Sequence, residues 1–441
     1  MKTTSTYKPL IYLSPILLLY IAIVLLFGAK APLGDGIRFW AYAGNILQGS
    51  YATAEVGMLH MGPGYPLLLS IFRGLGTPIL IPLLLNAFLL FFACYFLFKV
   101  LTQYIPFKTA LVIIYLFSIW DPFLLYWTQK LYSEPLVVFL ICFGMYSLLN
   151  YYNSSTKKHL YFTASTLGYL ALTKVIFGYV LGAFLIISIF IFLLKIEKQI
   201  FRKNIILSAL ALLFCLPYLC YTYKQTGKLF YWGNSGGELL YWTASPHQTD
   251  LGEWHSASIG MNDFFAERYH LSGVDPDLVY KVNEIITSRI YEDHKPFKEK
   301  LNGLGAYAAD SLYKQEAIKN IKAHPTLFLK NWVMNLGRIT LGYPHALFVK
   351  PPFSPFMSLL NIVKSSFGVI LFLISLFVSF INYKKLRNTK ELSLLLLGLI
   401  YIGGTSLLAA QSQRFMIPFT PIMLFWTVFV LRNFKLKFNG L

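Results

Sequence analysis

Three short stretches of this chain place charged side chains next to hydrophobic segments, where they could bind or activate a ligand. In the first, Gly34-Asp35-Gly36-Ile37-Arg38, an acid opens an aromatic segment that passes Tyr42 and ends at Gly49. If this segment is helical, Asp35, Arg38 and Tyr42 share one face. Asp35 is then a candidate general base, although an acid in this place could also cap the helix.

The second stretch, Lys130-Leu131-Tyr132-Ser133-Glu134-Pro135, holds another acid beside a lysine. Proline is common at the start of a helix, and a carboxylate there complements the helix dipole, so Glu134 also has a purely structural interpretation. Because two acids recur beside hydrophobic segments, we take Asp35 and Glu134 as candidate catalytic residues.

The third stretch, Gln411-Ser412-Gln413-Arg414-Phe415-Met416-Ile417-Pro418, has an arginine where a hydrophobic segment begins. Arginine can hold a phosphate through two parallel hydrogen bonds, but near a bilayer it can also extend its charge to the headgroups without binding a ligand. The candidate substrate- or phosphate-binding residues are Arg38, Tyr42, His60, Tyr65, Lys130, Lys174, Gln413 and Arg414.

The composition places these residues on a membrane protein. Of the 441 residues, 56% are hydrophobic and 13% are charged, and the mean hydropathy is +0.57. Runs of about 20 apolar residues, the length that crosses a bilayer, recur along the chain. We predict an all-α polytopic membrane protein with about ten transmembrane helices, at 10–28, 79–101, 108–127, 133–152, 160–174, 176–194, 204–222, 357–381, 391–410 and 415–432.

The basic residues between these spans predict their orientation. An even number of spans puts both termini on one side, and the loops on that side hold lysine clusters such as Lys157-Lys158 and Lys384-Lys385. The positive-inside rule makes this side cytoplasmic. Topology therefore explains most of the formal charge of +19, and nucleic-acid binding is not expected.

The opposite, extracytoplasmic side of the membrane half keeps a small set of ionisable residues. Such residues are unfavourable near a bilayer unless they face protein, water or a ligand, so the set predicts a site. Several cations with a few carboxylates suit a phosphate-bearing substrate whose reaction needs a base. The set comprises Lys30, Asp35, Arg38, Glu55, Arg73, Asp121, Lys130, Glu134, Lys174, Lys364 and Arg414.

Composition divides the chain into three parts. The middle part holds 13 of the 19 acidic residues, as an extracytoplasmic loop or domain would. The predicted parts are an N-terminal transmembrane catalytic module at 1–222 with a first external loop at 29–78, a mainly α external part at 223–355, and C-terminal transmembrane helices at 356–441.

Helical spacing predicts elements outside the spans. One helix is expected from Tyr307 to Lys322, and a second, interfacial helix from Thr326 to Tyr343, where Lys330 and Arg338 interrupt an apolar run. The stretch Pro63 to Phe72 is too short to span and predicts a surface helix. Aromatic residues early in the external part could stack on sugars or form a domain core; they include Trp232, Tyr241, Trp242, Trp254 and His255.

Other motifs exclude several function classes. Cys94, Cys142, Cys215 and Cys220 all lie in predicted spans, so neither a disulfide framework nor a cysteine metal site is expected. The glycine-rich stretch 233–237 is not followed by the Lys and Ser/Thr that would grip phosphates in a phosphate-binding loop. ATP-driven transport by this chain alone is therefore disfavoured.

The order of these motifs resembles the polytopic GT-C-fold glycosyltransferases that use lipid phosphosugars, which include protein O-mannosyltransferases and the aminoarabinose transferases that modify lipid A. Asp35, followed by Tyr42 and Gly49, is similar to the first-loop motif of that family, and Pro63 to Leu69 is similar to its surface helix. Ser133-Glu134 and Arg414 to Pro418 are similar to the openings of two later spans. The resemblance covers the first 200 residues well and the external part hardly at all.

The resemblance implies an inverting transfer of a sugar from an isoprenyl phosphate, of the undecaprenyl or dolichyl type, to an acceptor hydroxyl or phosphate. The acceptor would be a glycan, lipid or protein at the outer surface of the bacterial inner membrane, and no nucleotide is needed. Asp35 would act as base and Glu134 would orient the acceptor or the Asp35 helix. The implied phosphate ligands are Lys130, Lys174, Arg38 and Arg414, with His60 binding phosphate or sugar hydroxyls.

Two positions depart from the family pattern. Many members have a second acid directly after the first, where this chain has Gly36, which weakens the expectation of a metal bridged by an acidic pair. The aminoarabinose enzymes have a lysine just before the surface-helix prolines, where this chain has Gly62; His60 is a candidate substitute. A divalent cation, Mg²⁺ or Mn²⁺, held by Asp35, Glu134 or His60 is an open alternative.

Two other functions are alternatives. A transporter or flippase for lipid-linked sugars would be expected to show internal repeats and helices interrupted near the midplane, and the sequence shows neither. An oligosaccharide ligase or polymerase would be expected to use charged residues of the external part, such as Arg268, His270, Arg289 or His294.

Overall fold

The computed structural model describes residues 7–52, 59, 61–120, 122–250, 252–253, 292–341, 355–387, 389–408 and 413–433. Regular secondary structure in these ranges is helical, which confirms the all-α prediction. Several residues singled out above lie outside the described residues, namely Glu55, His60, Asp121, Trp254, His255, Arg268, His270 and Arg289, together with the side chains of Lys364 and Gln413.

Long apolar runs form most helices of the N-terminal half. Where α10 meets α11 the chain bends by 56°, because Pro217 cannot donate the backbone hydrogen bond that would continue one helix into the other. In chain order the helices are α1 (Tyr7–Phe27), α2 (Asp35–Leu47), α3 (Gly64–Gly74), α4 (Leu80–Leu101), α5 (Phe107–Trp120), α6 (Pro122–Thr128), α7 (Glu134–Ser154), α8 (Lys157–Thr173), α9 (Ile176–Leu193), α10 (Lys198–Phe214) and α11 (Leu216–Thr226).

The second half contains the predicted external helices and the last apolar ones. Helices form over the two external segments where helical spacing predicted them, and they are separated at His324-Pro325. The elements are α12 (Gly236–Thr243), α13 (292–299), α14 (Ala306–Ala323), α15 (Pro325–Leu341), α16 (Pro355–Ile381), α17 (Tyr383–Leu386), α18 (Leu392–Ser406) and α19 (Thr420–Asn433), with 3₁₀ turns at Gln248–Asp250 and Gln413–Met416.

The apolar helices make this chain an integral membrane protein. By length and composition, four described helices can each cross a bilayer, and the bent pair α10 and α11 gives a fifth. Three further apolar helices, in α5, α16 and α18, have only 10–17 residues in the described part. The number of ten crossings therefore stays a prediction, although helices lie in all ten predicted segments.

The apolar helices pack around α4 and α7. Helix α4 contacts α1 and α7, α7 contacts α8, and α9 contacts α10 and α18. Their buried side chains belong to one apolar cluster, from Leu13 of α1 through Leu90 of α4 to Trp426 of α19. On the outside of α1, Leu18, Leu25 and other large apolar side chains are exposed, as expected where a helix faces lipid.

The external part has a small core of its own. Helix α12 packs against α14, and a second apolar cluster contains Tyr241, Trp242, Phe297 and Tyr313. His294, which the ligase alternative would use, is 1% exposed. Its Nε2 lies 2.7 Å from an oxygen of Asp250, and its Nδ1 lies 2.5 Å from the Tyr241 hydroxyl. Of the aromatic residues named in the sequence, Tyr241 and Trp242 thus pack in this small core, and Trp232 belongs to the larger apolar cluster.

Helix α15 joins this external core to the membrane helices. The indole N–H of Trp332 donates to the carbonyl oxygen of Gly403 at 3.1 Å and to the hydroxyl of Ser406 at 2.7 Å, both on α18. The same helix packs against the 3₁₀ turn Gln413–Met416. The external part therefore contacts the short turn that carries Arg414.

Candidate active site

Asp35 lies at the first position of α2, and its side chain does not cap that helix. The N-cap residue is Gly34, with φ 57° and ψ −128°, and the cap has no side-chain hydrogen bond. A backbone of this kind is accessible to glycine and strained for other residues. The capping alternative for Asp35 is therefore wrong, and the carboxylate is directed to another partner.

That partner is Arg414, which bridges the two candidate acids. Its Nη1 is 2.5 Å from Oδ2 of Asp35, and its Nε donates to Oε1 of Glu134. The same Glu134 oxygen accepts a hydrogen bond from Nζ of Lys174 at 3.3 Å. The result is a continuous ion-pair chain, Asp35–Arg414–Glu134–Lys174, built from residues on four separate segments.

The side chains of the ion-pair chain are largely buried, so their charges are only partly hydrated. The exposed fraction of the side chain is 0% for Glu134, 15% for Lys174, 19% for Arg414 and 29% for Asp35. Exposure thus increases from Glu134 toward Asp35. The second oxygen of Glu134, Oε2, is buried and has no hydrogen-bond partner among the described residues. Glu134 is accordingly the inner anchor, and Asp35 is the member that a ligand in solvent can reach.

Burial and charge have opposite effects on the Arg414 guanidinium. Burial by itself lowers the pKa of this group, but the neighbouring carboxylates of Glu134 and Asp35 raise it above its usual range. The guanidinium is therefore always charged here, and the two acids hold it in place.

An aromatic surface supports the cations. The guanidinium carbon of Arg414 is 4.7 Å from the ring centroid of Tyr132 and 5.4 Å from that of Trp127. Lys130 also faces the Trp127 ring, with Nζ 5.6 Å from its centroid, and contacts the ring and hydroxyl of Tyr126. Lys130 and Arg414 thus lie near the same indole, although Lys130 is outside the ion-pair chain.

The other predicted binding residues on α2 and α3 do not join this cluster. Arg38 is exposed on α2. Tyr42 is buried, with its ring 4.9 Å from that of Tyr51. Tyr65 is 1% exposed and its hydroxyl lies 3.5 Å from the side-chain oxygen of Asn86. Both tyrosines contribute to packing under the site, and direct ligand contact by them stays a prediction.

Neither Tyr132 nor Trp127 could be recognised as part of the site from the sequence. Aromatic residues are common at membrane interfaces, so residue type alone gives no distinction. The available signal is position: Tyr132 is two residues before Glu134, and Trp127 is three before Lys130.

The described residues do not form a metal site. No group of three or more His, Cys, Asp or Glu side chains that could hold an ion occurs within the described ranges. Asp35 and Glu134 both direct an oxygen at Arg414, so a divalent cation would have to displace the guanidinium and still find further oxygen ligands. The described donor set fits an ion-pair chain, and His60, the third candidate ligand, lies outside the described residues.

Gly62 and Gly64 allow a close approach that explains one departure from the family pattern. A Cβ atom on Gly62 would lie 2.0 Å from the carbonyl oxygen of Leu172, and one on Gly64 would lie 2.7 Å from the amide nitrogen of Thr173. No side chain fits there. The end of α8 occupies this space. Lys174 directly follows α8, and its ammonium group is the cation that pairs with Glu134 here.

We expect Gly62→Ala to displace the end of α8, because the obstructing atom belongs to the backbone and cannot rotate away. Overpacking of this kind destabilises by roughly 1–3 kcal/mol. The measurement is the thermal unfolding temperature of the purified protein in detergent. Gly305→Ala is the matched control, since a Cβ there meets nothing within 4 Å; equal unfolding temperatures for both variants would contradict the packing.

This chain is similar to known proteins in its three-dimensional structure. No family model and no curated protein matches the chain. Oligosaccharyltransferase AglB from Archaeoglobus fulgidus, solved with an inhibitory peptide and a dolichol-phosphate, is similar over 97% of this chain, with 14% identity and a TM-score of 0.49. This chain spans 50% of the AglB chain.

ArnT from Cupriavidus metallidurans, bound to undecaprenyl phosphate, is similar over 97% of this chain and 78% of its own, with 10% identity and a TM-score of 0.41. AglB and ArnT are GT-C-fold proteins, the family that the sequence motifs resemble. Because both TM-scores are below 0.5, the function proposed below depends on the side chains of this chain alone.

Proposed function

We propose that this chain is an inverting glycosyltransferase that moves a sugar from an isoprenyl phosphate, of the undecaprenyl or dolichyl type, to an acceptor at the extracytoplasmic membrane surface. The observation that carries the proposal is the ion-pair chain Asp35–Arg414–Glu134–Lys174. It places a partly exposed carboxylate next to a permanently charged guanidinium at the edge of apolar helices. A reaction with an anionic leaving group and a hydroxyl acceptor uses a cation for the first and a base for the second.

Arg414 is the proposed ligand of the donor phosphate. A guanidinium is the side-chain group best suited to a phosphate, and this one is held in place by Glu134 at Nε and by Asp35 at Nη1. Lys130 lies near the same Trp127 indole as Arg414 and supplies a second positive charge. As the bond between the anomeric carbon and the phosphate oxygen breaks, negative charge develops on that oxygen, and these cations stabilise it. The isoprenyl tail would lie against the apolar helices.

Asp35 is the proposed general base. Its carboxylate takes the proton of the acceptor hydroxyl while that oxygen forms a bond to the anomeric carbon, and the isoprenyl phosphate leaves from the opposite face. One bond to the anomeric carbon forms as the other breaks, so the configuration inverts. Asp35 is the most exposed member of the ion-pair chain, as contact with an acceptor requires.

Glu134 has a different role in this proposal from the one that its sequence motif predicted. It is fully buried and holds both Arg414 and Lys174. We assign to it the positioning of these cations, and no contact with the acceptor. No step of the proposed reaction is assigned to a metal ion.

The setting of the reaction follows from the charges of the loops. From the basic loops and the positive-inside rule we infer that both termini are cytoplasmic and that the site faces outward. We propose the inner membrane of a bacterium as its location. The acceptor is then a glycan, lipid or protein of the cell envelope.

Mass spectrometry of surface glycans and lipids, from cells with and without this chain, tests the proposal and identifies sugar and acceptor together. We expect one envelope component to lose a single sugar when the chain is absent, and the corresponding isoprenyl-phosphate sugar to accumulate. Loss of that sugar with the lipid-linked sugar retained on the inner leaflet would support the transporter alternative instead, and an unchanged set of glycans and lipids would contradict the proposal.

A further inference from the structure

Tyr132 contacts both groups to which the proposed reaction assigns chemistry. Its hydroxyl oxygen accepts a hydrogen bond from the backbone amide of Asp35 at 3.2 Å. The face of its ring lies 4.7 Å from the guanidinium carbon of Arg414. The hydroxyl therefore holds the backbone that carries the carboxylate, while the ring supports the cation.

Gly34 shows how closely Tyr132 approaches the start of α2. A Cβ atom on Gly34 would lie 2.3 Å from the Tyr132 hydroxyl oxygen, but 3.5 Å from the ring carbon Cζ. The oxygen alone causes the overlap, because 3.5 Å is an ordinary van der Waals contact. Gly34 is thus required here both for its positive φ of 57° and for the space that the hydroxyl occupies.

The segment around Tyr132 is itself held firmly. The Tyr132 ring packs on Trp127 with centroids 4.4 Å apart, and its backbone amide donates to the carbonyl oxygen of Lys130 at 2.8 Å. The preceding residue, Leu131, lies near Gly36: a Cβ atom on Gly36 would be 3.2 Å from Leu131. Tyr132 is 6% exposed, so it has little freedom to move away from α2.

From these contacts we propose that Tyr132 is a positioning residue of the sugar transfer, a role that rests on the function proposed above. Its hydroxyl fixes where the Asp35 carboxylate meets the acceptor, and its ring fixes where Arg414 meets the donor phosphate. Tyr132 acts through these two residues and does not itself exchange a proton or bind the sugar.

Two substitutions separate the hydroxyl from the ring. Tyr132→Phe removes only the acceptor of the Asp35 amide, so we expect kcat to fall roughly 3- to 10-fold while KM for the isoprenyl-phosphate donor stays within about twofold. Tyr132→Leu also removes the ring under Arg414, so KM for the donor should rise roughly tenfold as well. Tyr115→Phe is the control, because its hydroxyl donates to the Tyr12 carbonyl oxygen, in contact with neither Asp35 nor Arg414.

An unchanged kcat in Tyr132→Phe would overturn the proposal, and so would an equal rise of KM in both Tyr132 variants. A merely structural tyrosine would lower the amount of folded protein without this division between kcat and KM. The kinetic constants are measured per folded protein, in nanodiscs that contain the donor.

A stability cycle tests the same contact without any substrate. Gly34→Ala should lower the unfolding temperature of the wild type more than that of Tyr132→Phe, because removal of the oxygen relieves the 2.3 Å overlap. Equal losses in both backgrounds would show that Tyr132 does not hold the start of α2. A wild type that transfers no sugar would refute the proposed function, whereas this cycle would still decide on the tyrosine.

Discussion

Replacing Asp35 by asparagine should abolish sugar transfer while leaving a folded protein in the membrane. The amide keeps the shape of the side chain but cannot accept the proton of the acceptor hydroxyl. General-base catalysis contributes about 10²–10⁴-fold to a rate, so we expect turnover to fall at least ~100-fold. The measurement is transfer from the isoprenyl-phosphate donor by equal amounts of folded wild type and Asp35→Asn in nanodiscs.

Glu316→Gln is the matched control for the removal of a carboxylate. Glu316 lies on α14 and pairs with Lys319, whose side chain is 73% exposed. Exposed ion pairs contribute little to stability, so this variant should keep wild-type stability and transfer. Undiminished transfer by Asp35→Asn would refute the assignment of the base.

Replacing Glu134 by glutamine should give the largest loss of stability in the site. The neutral amide leaves Arg414 and Lys174 near each other without the buried carboxylate that lies between them. Breaking a buried ion pair by removing one partner destabilises by about 3–5 kcal/mol. We expect a marked fall in unfolding temperature, and weaker retention of the donor by whatever protein folds.

A double-mutant cycle with Lys174 isolates the electrostatic part of that loss. Lys174→Met alone leaves Glu134 paired with Arg414, and Lys174→Met together with Glu134→Gln leaves a single cation. The double variant should therefore be more stable than the sum of the two single losses predicts, by roughly 1 kcal/mol or more. Strictly additive losses in unfolding free energy would contradict the ion-pair chain.

All four members of the ion-pair chain could be named from the sequence. Ionisable residues beside apolar segments are unfavourable unless a partner or ligand compensates them, and this reasoning selected Asp35, Glu134, Lys174 and Arg414. Their pairing could not be predicted, because Arg414 and Asp35 are 379 residues apart in the chain. Nothing local in either motif indicates that one guanidinium bridges both acids.

The two departures from the family pattern acquire a physical reason only in three dimensions. Gly62 stands where the end of α8 passes, and Gly36 lies against Leu131. In each case the neighbouring segment fills the space in which a side chain would lie. The sequence shows a missing lysine and a missing acid. The structure shows that Gly62 lies close to the segment that carries Lys174, and that Gly36 lies close to the segment that carries Glu134.

Helix lengths limit what hydropathy could predict. The apolar residues of the segment 204–222 are divided between α10 and α11, which meet at an angle of 56°. A proline, Pro217, stands at the start of the second of these helices. A window of apolar residues reports composition, so it passes over such breaks and overestimates the length of single helices.

The most direct test of the account is the stoichiometry of isoprenyl phosphate release. Wild-type protein in nanodiscs is given the isoprenyl-phosphate sugar, with and without the acceptor, and the free isoprenyl phosphate and glycosylated acceptor are quantified by mass spectrometry. We predict that the two products appear in equal amounts, only when the acceptor is present, and that Asp35→Asn forms neither. Glycosylated acceptor formed by Asp35→Asn at the wild-type rate, or wild-type protein that forms no glycosylated acceptor, would contradict the account.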